Sequence, residues 1–200
     1  MATKKQLENM FTTNVKQMNW KSMQKSKSPE MLFVGRSNVG KSSLLNSLLS
    51  TKDMVKTSRH AGQTKHLNYF SLNGKFTLVD APGYGGMGRD SWGGIVEEYI
   101  ETRSNLNRVV VLINAMHGLL DSDHYFLNYL NKQREEYGVR WLYQLAFTKS
   151  DMVPKPVLEE YVGNVEMELC RRYPTLTPPI HMVSIKDPLS IFKLRRGLLE

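Results

Sequence analysis

Disulfides are out of reach for this chain. Among 200 residues only Cys170 is a cysteine, so no intramolecular bridge can form, and no Cys/His spacing resembles a zinc site. Such usage fits a reducing compartment. Long apolar runs are missing as well: nothing approaches the ~20 residues that span a bilayer, and the first residues lack the continuous apolar core of a secretory signal. A soluble protein is expected. Acids are scarce, 19 against 27 Lys and Arg, for a net charge of +8. The surplus is uneven, because residues 1–30 carry six lysines against two acids. Such a segment suits a polyanion such as RNA, or is simply a solvated arm. It contains no arginine, which argues against an organelle transit peptide. With 40% hydrophobic residues over this length, one well-buried domain is expected and a second is not.

What is present begins with Gly35-Arg36-Ser37-Asn38-Val39-Gly40-Lys41-Ser42, which fits G-x-x-x-x-G-K-[ST]. It lies between an apolar run, Met31-Leu32-Phe33-Val34, and a helical stretch from Ser43 to Leu49. That is the context a phosphate-binding loop requires. Gly35 and Gly40 let the backbone curl so that successive N–H groups face phosphate oxygens, and the helix that follows adds the positive end of its dipole. Lys41 then reaches the β- and γ-phosphates, and the Ser42 hydroxyl ligates Mg²⁺.

Two later boxes choose the nucleotide. Lys75–Val79 reads as a strand delivering Asp80 into Asp80-Ala81-Pro82-Gly83, where the carboxylate serves Mg²⁺ and the Gly83 N–H senses a γ-phosphate. The run 141–147 ends in Thr148-Lys149-Ser150-Asp151, a [TN]-K-x-D box. A carboxylate there accepts two hydrogen bonds from the N1–H and N2–H₂ of guanine, which adenine does not offer, a discrimination of about several kcal/mol. The Lys149 stem is expected on the base face, and Ser184 is expected to offer its backbone N–H near guanine O6.

Together these residues resemble the EngB/YsxC (YihA) branch of the translation-factor-like P-loop GTPases. The segments that carry the likeness are 35–46, Gly62-Gln63-Thr64 followed by Leu67-Asn68-Tyr69-Phe70, Asp80-Ala81-Pro82-Gly83-Tyr84-Gly85, and His117-Gly118 with Asp123. Departures are Ala61 and Gln63 in place of Pro and Arg, Asn114 and Met116 in place of an acid and Arg, and Ser190 in place of Gly. The resemblance implies a slow intrinsic GTPase that acts as a switch in large ribosomal subunit assembly, linked in bacteria to cell division and septation. It implies nucleotide contacts from Gly35, Arg36, Ser37, Asn38, Val39, Gly40, Lys41, Ser42, Ser43, Gly62, Thr64, Asp80, Gly83, Thr148, Lys149, Asp151, Val183, Ser184 and Ile185. Ser42, Thr64 and Asp80 are the expected Mg²⁺ ligands, and Lys41, Thr64, Gly83 and Asn38 the catalytic group. Partners are GTP or GDP and ribosomal RNA or a large-subunit precursor, with no membrane, in a monomer of the bacterial-type cytoplasm or of a eukaryotic organelle matrix. A P-loop ATPase or kinase, and a nucleotide-binding module with negligible turnover, are the alternatives.

Small signalling GTPases carry a water-orienting Gln right after D-x-x-G, where this chain has Tyr84. Tyrosine cannot replace that amide, so hydrolysis is expected to depend on something supplied from outside. Asn38 offers one source, a potassium ion of the kind ligated at this place in related GTPases; otherwise Asn38 only hydrogen-bonds the loop. Arg36 and Arg89 are expected to face solvent or RNA.

The alternation of apolar runs with amphipathic segments predicts a three-layer α/β fold with helices on both faces of a six-stranded, mostly parallel sheet, which the resemblance implies is the P-loop GTPase fold. Strands are expected at about 31–34, 67–72, 75–80, 108–115, 139–148 and 180–184, and helices at about 41–50, 93–104, 121–137, 155–171 and 188–199. Asn73-Gly74 reads as a two-residue hairpin that makes the second strand an antiparallel edge. Residues 1–28 are expected to form a basic N-terminal arm and 29–200 the GTPase domain. Trp20 in the arm is expected either to stack on a base or to dock onto the domain.

Overall fold

The computed structural model describes residues 3–55, 66–84 and 89–199. Its strands are β1 (Val15–Met18), β2 (Glu30–Gly35), β3 (Asn68–Leu72), β4 (Phe76–Asp80), β5 (Leu106–Asn114), β6 (Leu142–Thr148) and β7 (His181–Val183). They form one sheet in the order β1-β3-β4-β2-β5-β6-β7. From β4 to β7 all neighbours are parallel, whereas β3 is antiparallel to β4 and β1 antiparallel to β3.

The expectation of six strands with one antiparallel edge is therefore corrected to seven among the described residues, with β1 as the antiparallel edge. Val15-Lys16-Gln17-Met18 is half exposed and holds no apolar run, so nothing in its composition announces a strand. A short, lysine-bearing strand also suits an edge, where open N–H and C=O groups invite unwanted pairing. The hairpin differs in length too. Asn73 and Gly74 both have positive φ and the Lys75 N–H bonds the Leu72 carbonyl at 2.9 Å, but the register pairs Leu72 with Phe76, leaving three residues between the strands.

The helices are α1 (Lys4–Thr12), α2 (Trp20–Lys25), α3 (Lys41–Leu48), α4 (Arg89–Thr102), α5 (Asp121–Tyr137), α6 (Lys155–Arg172) and α7 (Pro188–Gly197). Residues of β2 alternate between two cores. Leu32 and Val34 join Val96, Ile100, Phe126, Leu130, Leu169 and Tyr173 under α4, α5 and α6. Met31 and Phe33 join Leu7, Phe11, Leu44, Leu48, Ile191 and Leu194 under α1, α3 and α7. A strand buried on both faces favours apolar side chains throughout, which is why Met31-Leu32-Phe33-Val34 is a continuous apolar run.

Residues 3–28 are folded onto this body. Thr3 and Gln6 form a capping box that starts α1, whose Leu7 and Phe11 are buried one turn apart. Asn19 caps α2, and its Met23 is fully buried. Arg103 reaches across to the Met23 carbonyl at 2.8 Å and pairs with the buried Glu30 at 2.7 Å. Trp20 rests against Tyr69, 5.8 Å between ring centroids, and under the Arg103 guanidinium, so it docks on the domain while staying 47% exposed. All six lysines of the segment are exposed, with Lys4 lying over the Phe192 ring.

Candidate nucleotide-binding site

The parallel sheet ends its strands along one edge, and the loops leaving β2, β4, β6 and β7 meet there. Gly35 closes β2 where a Cβ would lie 2.8 Å from the Leu112 carbonyl, so no side chain fits. Gly40, with φ 101°, turns the chain into α3. No side chain caps that helix start and no acid lies in its first turn, so its N–H groups and positive dipole end remain available to an anion. Asn38 is exposed and also left-handed, φ 64°.

Lys41 and Asp80, the groups expected to face phosphate and Mg²⁺, are both buried and form an ion pair. The second carboxylate oxygen of Asp80, Oδ2, is buried with no hydrogen-bond partner among the described residues. A buried carboxylate oxygen of this kind, on a chain that also brings Ser42 to the first turn of α3, fits a hard divalent cation with oxygen ligands. Thr64, the third expected ligand, and Gly62 lie outside the described residues.

Past Asp80 the chain folds back on the phosphate loop. The Tyr84 N–H bonds the Gly35 carbonyl at 3.2 Å, and the Tyr84 carbonyl accepts from the Ser37 N–H at 2.9 Å. Gly83 is thereby pressed onto Ser37, where an added Cβ would be 3.0 Å from its backbone. The Tyr84 ring turns away toward α5. It packs on Phe126, and its hydroxyl donates to Asp123 at 2.7 Å. Burial, reinforced by the neighbouring Asp123 charge, pushes the phenol pKa well above its ordinary value, so the hydroxyl stays a donor. Arg36 does not face solvent as expected. It is largely buried, pairing through Nε with Asp123 at 3.1 Å and reaching the Gly118 carbonyl at 3.3 Å. Arg89 has no described side chain.

The 148–151 box, expected to read guanine, is joined to the loop 35–42 by side chains. The Thr148 hydroxyl lies 2.6 Å from the Val39 carbonyl and 3.1 Å from that of Ile113, while Lys149 Nζ donates to the Asn38 carbonyl at 3.0 Å. Between them opens a solvent-facing cleft lined by Gly40, Ser43, Leu44, Thr148, Lys149, Asp151, Val183 and Ile185. Asp151 accepts from the Ser184 hydroxyl at 2.7 Å and pairs with Lys186 at 2.8 Å. The Lys186 ammonium, then the Ser184 hydroxyl, hold its carboxyl below the usual carboxylate range.

One expectation fails here. The Ser184 N–H is engaged by the Ser190 hydroxyl at 3.0 Å, in the interior, and so does not face a base. Ile185, the next residue, lines the cleft instead. Asp123, Lys186 and Ser190 were not singled out as site residues from sequence. The only signals were the His117-Gly118 segment leading to Asp123 and the Ser-for-Gly departure at 190.

The family model described as "50S ribosome-binding GTPase" matches residues 30–145, more than half of the chain. A probable GTP-binding protein EngB of Bartonella bacilliformis is 36% identical over 186 residues, covering 86% of this chain and 83% of that protein. Its counterpart in Chlorobium phaeobacteroides is 43% identical over 120 residues, 58% of this chain and 62% of that one. Among solved structures, a probable GTP-binding protein engB superposes with a TM-score of 0.61 at 21% identity, over 85% of this chain and 96% of that one, a likeness of fold.

Proposed function

The chain belongs to the EngB family of P-loop GTPases, and on that premise we propose that it works as a GTP-driven switch in assembly of the large ribosomal subunit. The observation that carries the reading is the pair of bonds from Thr148 and Lys149 to the carbonyls of Val39 and Asn38, which make the phosphate loop and the base-reading box one cleft for one molecule.

In this reading Asp151, already oriented by Ser184 and Lys186, accepts the guanine N1–H and N2–H₂, and the Ile185 N–H meets O6. The first N–H groups of α3 take the β-phosphate, and Lys41 leaves Asp80 for the β- and γ-phosphates. Ser42, Asp80 and Thr64 would hold Mg²⁺, which neutralises charge developing on the phosphate oxygens. Water attacks the γ-phosphorus, releasing GDP and phosphate. Tyr84 carries no amide to orient that water, and Arg36, paired with Asp123, does not serve as an arginine finger. Hydrolysis is therefore slow until a further positive charge arrives. Asn38 would supply one by holding potassium, which places charge beside the phosphates, and the ribosomal particle would supply the other.

Exposed lysines of residues 3–28 extend the contact to ribosomal RNA through salt-sensitive phosphate neutralisation. The protein then works as a monomer in the cytoplasm, and septation depends on it through ribosome supply. Among the described residues no helix is long and apolar enough to cross a membrane. Sedimentation with large-subunit particles tests the reading. Co-sedimentation in GTP but not GDP is expected, and equal partition in both would sink it. The placement of Tyr84 also favours a second reading, a module that binds GTP with negligible turnover. Multiple-turnover phosphate release with particles present separates the two.

A further inference from the structure

Asp123 lies in no nucleotide-binding box, yet three elements converge on it. Its Oδ1 accepts from the Tyr84 hydroxyl at 2.7 Å, while its Oδ2 accepts from the Leu120 N–H at 2.8 Å and faces Arg36 Nε at 3.1 Å. Its side chain is fully buried. Tyr84 directly follows the γ-phosphate sensor Gly83, and Arg36 belongs to the phosphate loop, so one carboxylate on α5 grips both walls of the phosphate site. The grip is continued in the backbone by the two bonds between Tyr84 and residues 35 and 37. Gly83 is flush on Ser37, where an added Cβ would lie 3.0 Å from its backbone, so the turn is held closely against the loop. Any lift of this turn toward a γ-oxygen would pull the Tyr84 hydroxyl from Asp123.

We propose that Asp123, through Tyr84 and Arg36, is a positioning residue that latches the Asp80–Gly83 turn closed and so biases the protein toward GDP over GTP. This rests on the GTPase reading. A ligand shifts a two-state element only by its differential affinity for the two states. GDP leaves the latch closed, whereas GTP must open it, so the strength of the Tyr84–Asp123 bond is subtracted from GTP affinity alone. The same carboxylate holds the Leu120 N–H, and Arg36 the Gly118 carbonyl, in the loop at the start of α5, which carries the exposed Leu120 and adjoins the exposed Met116 and Tyr125. A partner that displaces this loop would release the turn without touching nucleotide.

Fluorescent GDP and a fluorescent non-hydrolysable GTP analogue, titrated with Mg²⁺ into wild type, Tyr84→Phe and Asp123→Asn, test the latch. Phenylalanine keeps the ring on Phe126 and removes only the hydroxyl, so the fold is retained. The affinity ratio of the GTP analogue to GDP is expected to rise about tenfold in Tyr84→Phe, equivalent to about 1.4 kcal/mol, and to move the same way in Asp123→Asn. A merely structural role would weaken both nucleotides equally. A ratio within twofold of wild type in both variants, or a shift toward GDP, overturns the latch and leaves the GTPase reading standing. Wild-type protein that binds neither guanine nucleotide in preference to adenine nucleotides would remove both.

Discussion

Replacing Asp151 by Asn should turn a guanine site into a xanthine site, and the local geometry says how far. The Ser184 hydroxyl donates to Asp151 Oδ1, so in the variant the amide oxygen takes that bond and Nδ2 stands where Oδ2 stood. A donor there opposes the guanine N2–H₂ and suits the 2-oxo group of xanthine. Hydrogen bonds to charged groups contribute about 1.5–3 kcal/mol each. Since the Asp151 side chain is one quarter exposed, we take the lower figure for two bonds, about 3 kcal/mol, or on the order of a hundredfold in GTP affinity. The Lys186 pair is mostly solvent-exposed, and such pairs contribute little to stability, so the melting temperature should hardly move. Competition of GTP, XTP and ATP against a fluorescent GDP measures the preference. In the native protein the depressed carboxyl keeps its charge as pH falls through the ordinary Asp value of about 3.9, so guanine preference should persist through pH 5 and fail only below that value, as the folded-state pKa is crossed. A variant that still prefers GTP over XTP by the native margin would show that Asp151 does not read the base.

Lys41→Ala should abolish tight nucleotide binding and, even without nucleotide, cost about 3–5 kcal/mol in urea unfolding by leaving Asp80 buried without its counter-charge; if adding Asp80→Asn restores none of that stability, the ion pair is not the cause. Replacing sodium by potassium should raise GTP hydrolysis, and Asn38→Gly, which suits the left-handed φ of 64°, should erase the gain while sparing GDP binding. Equal rates in the two salts, alone and with ribosomal particles, would leave a partner-supplied group as the explanation. Changing Lys16, Lys21, Lys25 and Lys27 to Gln should weaken particle binding at low salt, less so as salt rises, with GTP affinity unchanged; undiminished binding at low salt would exclude these lysines. Deletion of residues 1–27 is not an equivalent probe, because it strips the fully buried Phe11 and Met23 from the two cores and should unfold the protein. Ser190→Ala should orphan the Ser184 N–H at a cost of about 1–3 kcal/mol and loosen the guanine loop, read as faster GDP release; native release rates would deny it that role.

Legibility in the sequence followed the range of the interaction. The phosphate loop, the Asp80 turn and the 148–151 box are local patterns in which chemistry demands particular residues at fixed spacing, and the apolar runs before them announce buried strands, so the parallel half of the sheet could be read. Val15–Met18 could not, because a half-exposed edge strand is defined by its partner, Leu72 to Tyr69, and not by its own composition. The Thr3–Gln6 capping box and the Leu7/Phe11 spacing did mark α1, but charge dominated that segment. Arg36, Tyr84 and Asp123 lie far apart in sequence, and nothing in one predicts the others. Ser184 shows the same limit: its motif is local, but the hydroxyl that takes its N–H arrives from the first turn of α7.

Arg195 of α7 lies over the Phe11 ring of α1 and donates to the carbonyls of Ser47 and Leu48, the open end of α3. Synthesis on the ribosome runs from the N-terminus, so the helix behind the phosphate loop is made early while its closing guanidinium is made more than a hundred residues later. Until then Phe11 has no cation above it and the last turn of α3 is left to fray. The first motif to emerge is thus among the last to mature, and a nascent chain that displays the phosphate loop is not yet one that can grip a nucleotide.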